Sequence, residues 1–162
     1  MSISVGDKLP EAQLCRMGAE GPEQVAMSSL TAGRKVVIFG LPGAYTGTCS
    51  SAHVPSFMRV REDLAAKGVD EVICLSVNDP FVMAAWGEST GASAAGITML
   101  GDAEAGFTTA IGMDFSAPPV GLINRSKRYA LMAEDGEVKV LHLEENPGVC
   151  DISGGEAMRD AL

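Results

Sequence analysis

Two short apolar runs, and the stretch that joins them, constrain this chain more than any other feature. Residues 35–40, Lys-Val-Val-Ile-Phe-Gly, form a β-rich run ending at glycine, and residues 71–77, Glu-Val-Ile-Cys-Leu-Ser-Val, form a second. Neither alternates polar with apolar positions, so each predicts a strand covered on both faces. Between them, residues 50–67 set Val54, Phe57, Met58, Arg61, Leu64 and Ala65 at helical spacing, and Gly68 stops the run. Pro55 falls one turn into that helix and is expected to bend it, because proline removes an internal hydrogen bond.

The rest of the chain continues the alternation. Asp79 and Pro80 read as the cap and first position of a helix reaching about residue 89. Residues 97–100 read as a short strand and 102–111 as a short helix. Cys15 falls on a first strand. Residues 128–133 and 137–143 flank Asp135-Gly136, a strong two-residue hairpin signal. Residues 153–162 read as a last helix with Ser153 or Gly154 near its start and Glu156 in its first turn. No repeat, low-complexity tract or linker interrupts the 162 residues, so a single domain over 1–162 is expected. The order describes an α/β fold, a mixed central sheet with helices on both faces. A strand–loop–helix unit with a cysteine at the start of its helix points to the thioredoxin-like class.

Charge and cysteine usage narrow the function. A formal net charge of -9 leaves no basic field to neutralise phosphates, which argues against nucleic-acid binding. The most apolar run is far shorter than the roughly 20 residues a membrane helix needs, and the N-terminal residues do not read as a signal peptide. A cytoplasmic, reducing setting is therefore expected. Cys15, Cys49, Cys74 and Cys150 are scattered with no CxxC pair, and only His53 and His142 join them. That spacing fits neither a disulfide framework nor a zinc site, so no metal or cofactor is expected.

The most informative segment is Pro42-Gly-Ala-Tyr-Thr46-Gly-Thr-Cys49, which joins the first buried strand to the helix. Unpaired backbone N–H groups and the macrodipole favour negative charge at a helix start. Cysteines in such settings titrate as low as roughly 3.5, against about 8.5 for a free thiol. Thr46, three residues before Cys49, can turn its hydroxyl toward the sulfur or a bound oxygen. Pro42 and Gly43 fix the loop, and Pro42 supplies a rigid apolar wall. A lone cysteine in an arbitrary domain is more often an inert small hydrophobe. The Gly/Pro loop and the helix start shift the balance, and physical chemistry leaves a reactive thiol whose reaction class is open.

The segment narrows that class. Pro42-x-x-x-Thr46-x-x-Cys49 resembles the PxxxTxxC signature of peroxiredoxins. Residues 40–57 are similar to the peroxiredoxin-5, type II or redoxin, subfamily, and the likeness continues through residues 74–87 and 127–136. The resemblance implies a thiol peroxidase acting on hydrogen peroxide and small alkyl hydroperoxides. In it Cys49 is the peroxidatic residue, Thr46 binds thiolate and substrate, and Pro42 shields the pocket. Arg128 matches the active-site arginine, whose charge favours the thiolate and polarises the peroxide; without the resemblance it reads as a surface charge at a strand start. His53 matches a family histidine, and a direct role and a merely hydrogen-bonded one both stand.

The resemblance also implies a second thiol, thioredoxin or glutaredoxin/glutathione as reductant, and a homodimer with Phe81, Trp86 and Phe115 as candidate contacts. Cys150, in the Pro/Gly-containing stretch 144–151 before the last helix, is the candidate resolving cysteine. Cys74 competes for that role, but a position in mid-strand favours a core thiol, and Cys15 reads as structural. A cysteine hydrolase using Cys49 would need a histidine base with an orienting partner, and neither His53 nor His142 makes a convincing dyad from sequence. A peroxide sensor that passes its oxidation to a partner needs the same thiol as an enzyme.

Overall fold

A computed structural model describes residues 2–162. Nine strands and five α-helices follow in the order β1 (Gln13–Gly18), β2 (Gly21–Ala26), α1 (Met27–Thr31), β3 (Lys35–Gly40), α2 (Val54–Ala66), β4 (Glu71–Ser76), α3 (Pro80–Thr90), β5 (Ile97–Gly101), α4 (Gly106–Ala110), β6 (Asp114–Ala117), β7 (Leu122–Ser126), β8 (Tyr129–Glu134), β9 (Glu137–Leu143) and α5 (Gly155–Ala161). Seven strands form one mixed sheet in the order β2-β1-β5-β4-β3-β8-β9, with β6 and β7 paired apart from it. This is the expected α/β architecture.

The two apolar runs lie at the centre of the sheet, paired in parallel so that Val37 sits beside Val72 and Phe39 beside Cys74. Their continuous hydrophobicity follows from burial on both faces. Val37, Phe39, Val72 and Cys74 pack with Phe57, Leu64, Met83, Trp86 and Met158, the side of α2, α3 and α5. Val36, Ile38, Ile73 and Leu75 pack the other way with Leu30 of α1 and Phe107 of α4. Burial of this kind contributes about 25 cal/mol for each Å² of apolar surface removed from water.

Local chemistry sets several boundaries. Asp79 caps α3 by accepting from Val82 N at 2.8 Å, with Pro80 in the first turn, as the sequence implies. Asp135 and Gly136 turn the β8–β9 hairpin with φ of +50° and +79°, the left-handed pair that a tight two-residue turn demands. The expected helix over 102–111 shortens to α4, because Asp102 accepts from Phe107 N and Thr108 N and holds residues 102–105 out of the helix. The bend expected at Pro55 is a π-helical turn, Cys49–His53, in which Val54 N donates to Cys49 O. A widened turn ahead of Pro55 absorbs the missing N–H without a clash. Trp86 is completely buried, so it is a core residue rather than a contact between copies, while Phe81 is exposed and Phe115 half-buried.

Candidate active site

Cys49 leaves β3 by way of the residue 41–48 loop and is completely buried at the start of the π-helical turn. Ser50 N donates to Thr46 O at 3.0 Å, so the backbone is already coiling as it reaches the sulfur. The loop is tied down from both sides. Ala44 N donates to Asn78 Oδ1 at 3.0 Å, and Arg125 Nη1 donates to Pro42 O at 3.1 Å. Tyr45 takes a φ of +64°, an uncommon conformation for a bulky residue.

Arg128 precedes β8 and its side chain runs inward, leaving the residue 1% exposed. Its guanidinium is held on three edges. Nε donates to Pro147 O at 2.8 Å, Nη1 to His53 Nδ1 at 2.9 Å, and Nη2 to Cys49 Sγ at 3.1 Å. His53 Nε2 lies 3.0 Å from Ser153 O, an acceptor only, which places the ring proton on Nε2 and leaves the Nδ1 lone pair for Arg128. Burial, with the Arg128 charge beside it, pushes His53 down to about 3, so the ring is neutral. The Nδ1 lone pair is spent on the guanidinium, which removes His53 as a base for Cys49. His142 lies on β9 opposite Ala130. Neither histidine forms the dyad a cysteine hydrolase requires.

The Thr46 hydroxyl, which the sequence alone could turn toward the sulfur, donates to Gly43 O at 2.7 Å and keeps its lone pairs free. A cavity of about 480 Å³ opens over the site. Pro42, Thr46 and Arg128 line one side, and Phe115, Ala117 and Leu122 of the β6–β7 sheet line another, with Pro147 and Gly148 closing the rim. The structure thus brings Pro42, Thr46, Cys49 and Arg128 together.

The other cysteines differ in setting. Cys74 is completely buried in β4, and burial, followed by the nearness of Cys49, pushes its thiol well up. Cys150 is partly exposed beyond Pro147; burial raises its thiol, partly offset by Arg128 and by a hydrogen bond with Ser153. Cys15 is partly exposed on β1, opposite Gln24. Sequence reasoning singled out neither the anchoring of Arg128 by His53 nor Glu144, whose carboxylate accepts from Asp151 and Ser153. Both act across distances of chain that carry no local signal.

Comparison with known proteins matches residues 4–158 to the family model described as Redoxin. The chain is 50% identical to the chloroplastic peroxiredoxin-2E-2 of Oryza sativa subsp. japonica, over 99% of this chain and 73% of the relative. It is 44% identical to peroxiredoxin-2C of the same organism, over 99% and 98%. Among solved structures, reduced Prx3 of Vibrio vulnificus in complex with H2O2 superposes with a TM-score of 0.92 at 41% identity, over 98% of each chain.

Proposed function

The chain is a member of the redoxin family and a peroxiredoxin, a thiol-dependent peroxidase, and on that premise we propose that Cys49 is its peroxidatic residue, working with Arg128, Thr46 and Pro42 in a single domain over residues 1–162. The observation that carries this reading is the 3.1 Å contact between Arg128 Nη2 and Cys49 Sγ, made by a guanidinium fixed on its other two edges.

The chemistry follows from that contact. The Cys49 thiolate attacks one peroxide oxygen; an S–O bond forms and the O–O bond breaks. The sulfur is oxidised by two electrons to a sulfenic acid, and the second oxygen leaves as hydroxide or alkoxide and takes a proton to become water or alcohol. Negative charge moves from sulfur to the leaving oxygen, and the fixed Arg128 charge serves both ends of that movement. Thr46, its proton committed to Gly43 O, offers lone pairs to the O–H of the substrate. Pro42 contributes an apolar wall that limits competing water. Hydrogen peroxide and small alkyl hydroperoxides fit the cavity, and the Vibrio vulnificus relative was solved with H2O2.

Cys150 is the proposed resolving thiol. Its attack on the Cys49 sulfenic acid forms an S–S bond, breaks the S–O bond and releases water. A dithiol of thioredoxin or glutaredoxin, or glutathione, then returns both sulfurs to thiols. Partial exposure favours Cys150 over Cys74, whose thiolate is penalised by complete burial. Re-reduction in every cycle fits a reducing compartment, the cytosol, and no helix among the described residues is long and apolar enough to cross a membrane. A homodimer with the exposed Phe81 and the half-buried Phe115 as candidate contacts completes the reading.

The test is steady-state peroxide turnover with catalytic thioredoxin or glutaredoxin, joined to peptide mapping of the oxidised protein without reductant. A Cys49–Cys150 bridge and sustained turnover support the proposal. A single oxidation without turnover points to a sensor, and a glutathione adduct on Cys49 with no internal bridge removes Cys150 from the cycle.

A further inference from the structure

Residues 144–154, between β9 and α5, contain no regular element, yet they supply two carbonyls on which the site depends. Pro147 O receives Arg128 Nε at 2.8 Å, and Ser153 O receives His53 Nε2 at 3.0 Å. Acceptors on an irregular segment orient a buried side chain only if the segment itself is held. Beside Pro147, Thr48 Oγ1 donates to Gly148 O at 2.8 Å and Gly148 N to Asn146 Oδ1 at 2.8 Å; the far half of the segment is gathered on one atom. Glu144 Oε2 accepts from Asp151 N at 2.7 Å, Ser153 N at 2.8 Å and Ser153 Oγ at 2.7 Å, closing the segment on itself. Glu144 N in turn donates to Arg128 O at 3.0 Å, which ties the start of the segment to the residue it orients. The side chain is buried at 7% exposure, and hydrogen bonds to an ionised acceptor are about twice as strong as neutral ones.

We propose that Glu144 is a positioning residue for the peroxidatic step: its carboxylate fixes Asp151 and Ser153 and so closes the segment whose Ser153 and Pro147 carbonyls hold His53 and Arg128, keeping the guanidinium on Cys49. It touches neither sulfur nor substrate. The role rests on the peroxidase reading of Cys49 and Arg128. Glu144→Gln keeps the shape and weakens three bonds at once; Ser153→Ala removes one of them and leaves the Ser153 carbonyl in place.

The test pairs two measurements on wild type and both variants. Rapid mixing with hydrogen peroxide reads the oxidation of Cys49. Hydrogen exchange at the Arg128 Nε–H, followed by NMR against the amides of β3 and β4, reads the anchoring itself. Glu144→Gln is expected to slow oxidation by about tenfold and Ser153→Ala by less, because small misplacements of a positioned group are felt strongly in rate. Exchange at Arg128 Nε–H should speed up in both while the strand amides hold. Oxidation of Glu144→Gln at the wild-type rate overturns the proposal. So does slowed oxidation with Arg128 exchange unchanged, or with the strand amides accelerated equally, which marks a general loss of stability. If Glu144→Gln does not fold, Ser153→Ala is judged by the same two readings. A wild-type protein inert to peroxide sinks the peroxidase reading instead, and the exchange comparison still judges Glu144.

Discussion

His53 Nδ1 and Arg128 Nη1 lie 2.9 Å apart, both buried, with the imidazole accepting from the guanidinium. A histidine used this way must stay neutral, since protonation would set two cations against each other. The fold keeps it so: His53 is pushed down to about 3 by burial and by Arg128. Its ring also packs against Phe39 and Phe57, at centroid distances of 5.0 and 5.7 Å.

Stability should therefore fall with acid in a particular window. The folded His53 titrates near 3 and an unfolded histidine near 6.5, so below about pH 6.5 the unfolded chain binds a proton that the folded chain refuses. Stability from this residue is fully present above that pH and is lost as pH falls toward 3, by at most ~1.4 kcal/mol per pH unit. Denaturant midpoints at pH 7, 6, 5 and 4 measure it. His53→Asn should flatten the slope between pH 6.5 and 4.5, and an unchanged slope would assign the acid sensitivity to carboxylates such as Glu144.

Close approach of α5 to α2 gives a second prediction. A Cβ on Gly155 would sit 2.2 Å from Ser56 O and 2.9 Å from Phe57 Cα, both backbone atoms of α2. Gly155 N also donates to Ser56 Oγ at 2.8 Å, and Ser56 Oγ donates to His53 O. Gly155→Ala must push the two helices apart, at about 1–3 kcal/mol of stability. A thermal melt reads this directly; an unchanged midpoint would mean that α5 shifts freely.

Trp86 provides an optical reporter. It is the only tryptophan, and its Nε1 donates at 3.1 Å to Ser50 Oγ, the residue after Cys49. Forming a Cys49–Cys150 bridge moves the turn that holds Ser50, because the sulfurs must come to about 2 Å. Stopped-flow emission after peroxide should show two phases, oxidation and then bridging, and Cys150→Ser should lose the second. Both phases surviving in Cys150→Ser would exclude Cys150 as the resolving thiol.

Much of the fold is legible in the sequence because its signals are local. The both-face burial of β3 and β4, the Asp79-Pro80 start of α3 and the Asp135-Gly136 turn each depend on neighbouring residues alone. The β6–β7 pair is not legible: its strands are short, partly exposed and separated by Pro118 and Pro119, so no alternation marks them. Likewise, the π-helical turn looks like ordinary helix until the Pro55 ring has to be fitted. At the site, the Pro42-to-Cys49 loop announces itself by composition. Arg128 does not; only family resemblance singles it out, because a cation before an apolar strand normally faces water. His53 and Glu144 act through partners 75 and up to nine residues away along the chain, and no spacing rule covers such bonds.

In the proposed mechanism Arg128, held on three edges, makes Cys49 a peroxide-reactive thiol. Rapid mixing of stoichiometric hydrogen peroxide with wild type and Arg128→Met, quenched and mapped for the oxidised cysteine, separates the two contributions. Wild type should lose one thiol per chain, at Cys49, far faster than free cysteine reacts, and Arg128→Met should slow that loss about 100-fold, the scale of removing one fixed donor from a charge-shifting transition state. A wild-type rate no greater than that of free cysteine would overturn the role of Cys49, and an Arg128→Met rate equal to wild type would overturn that of Arg128.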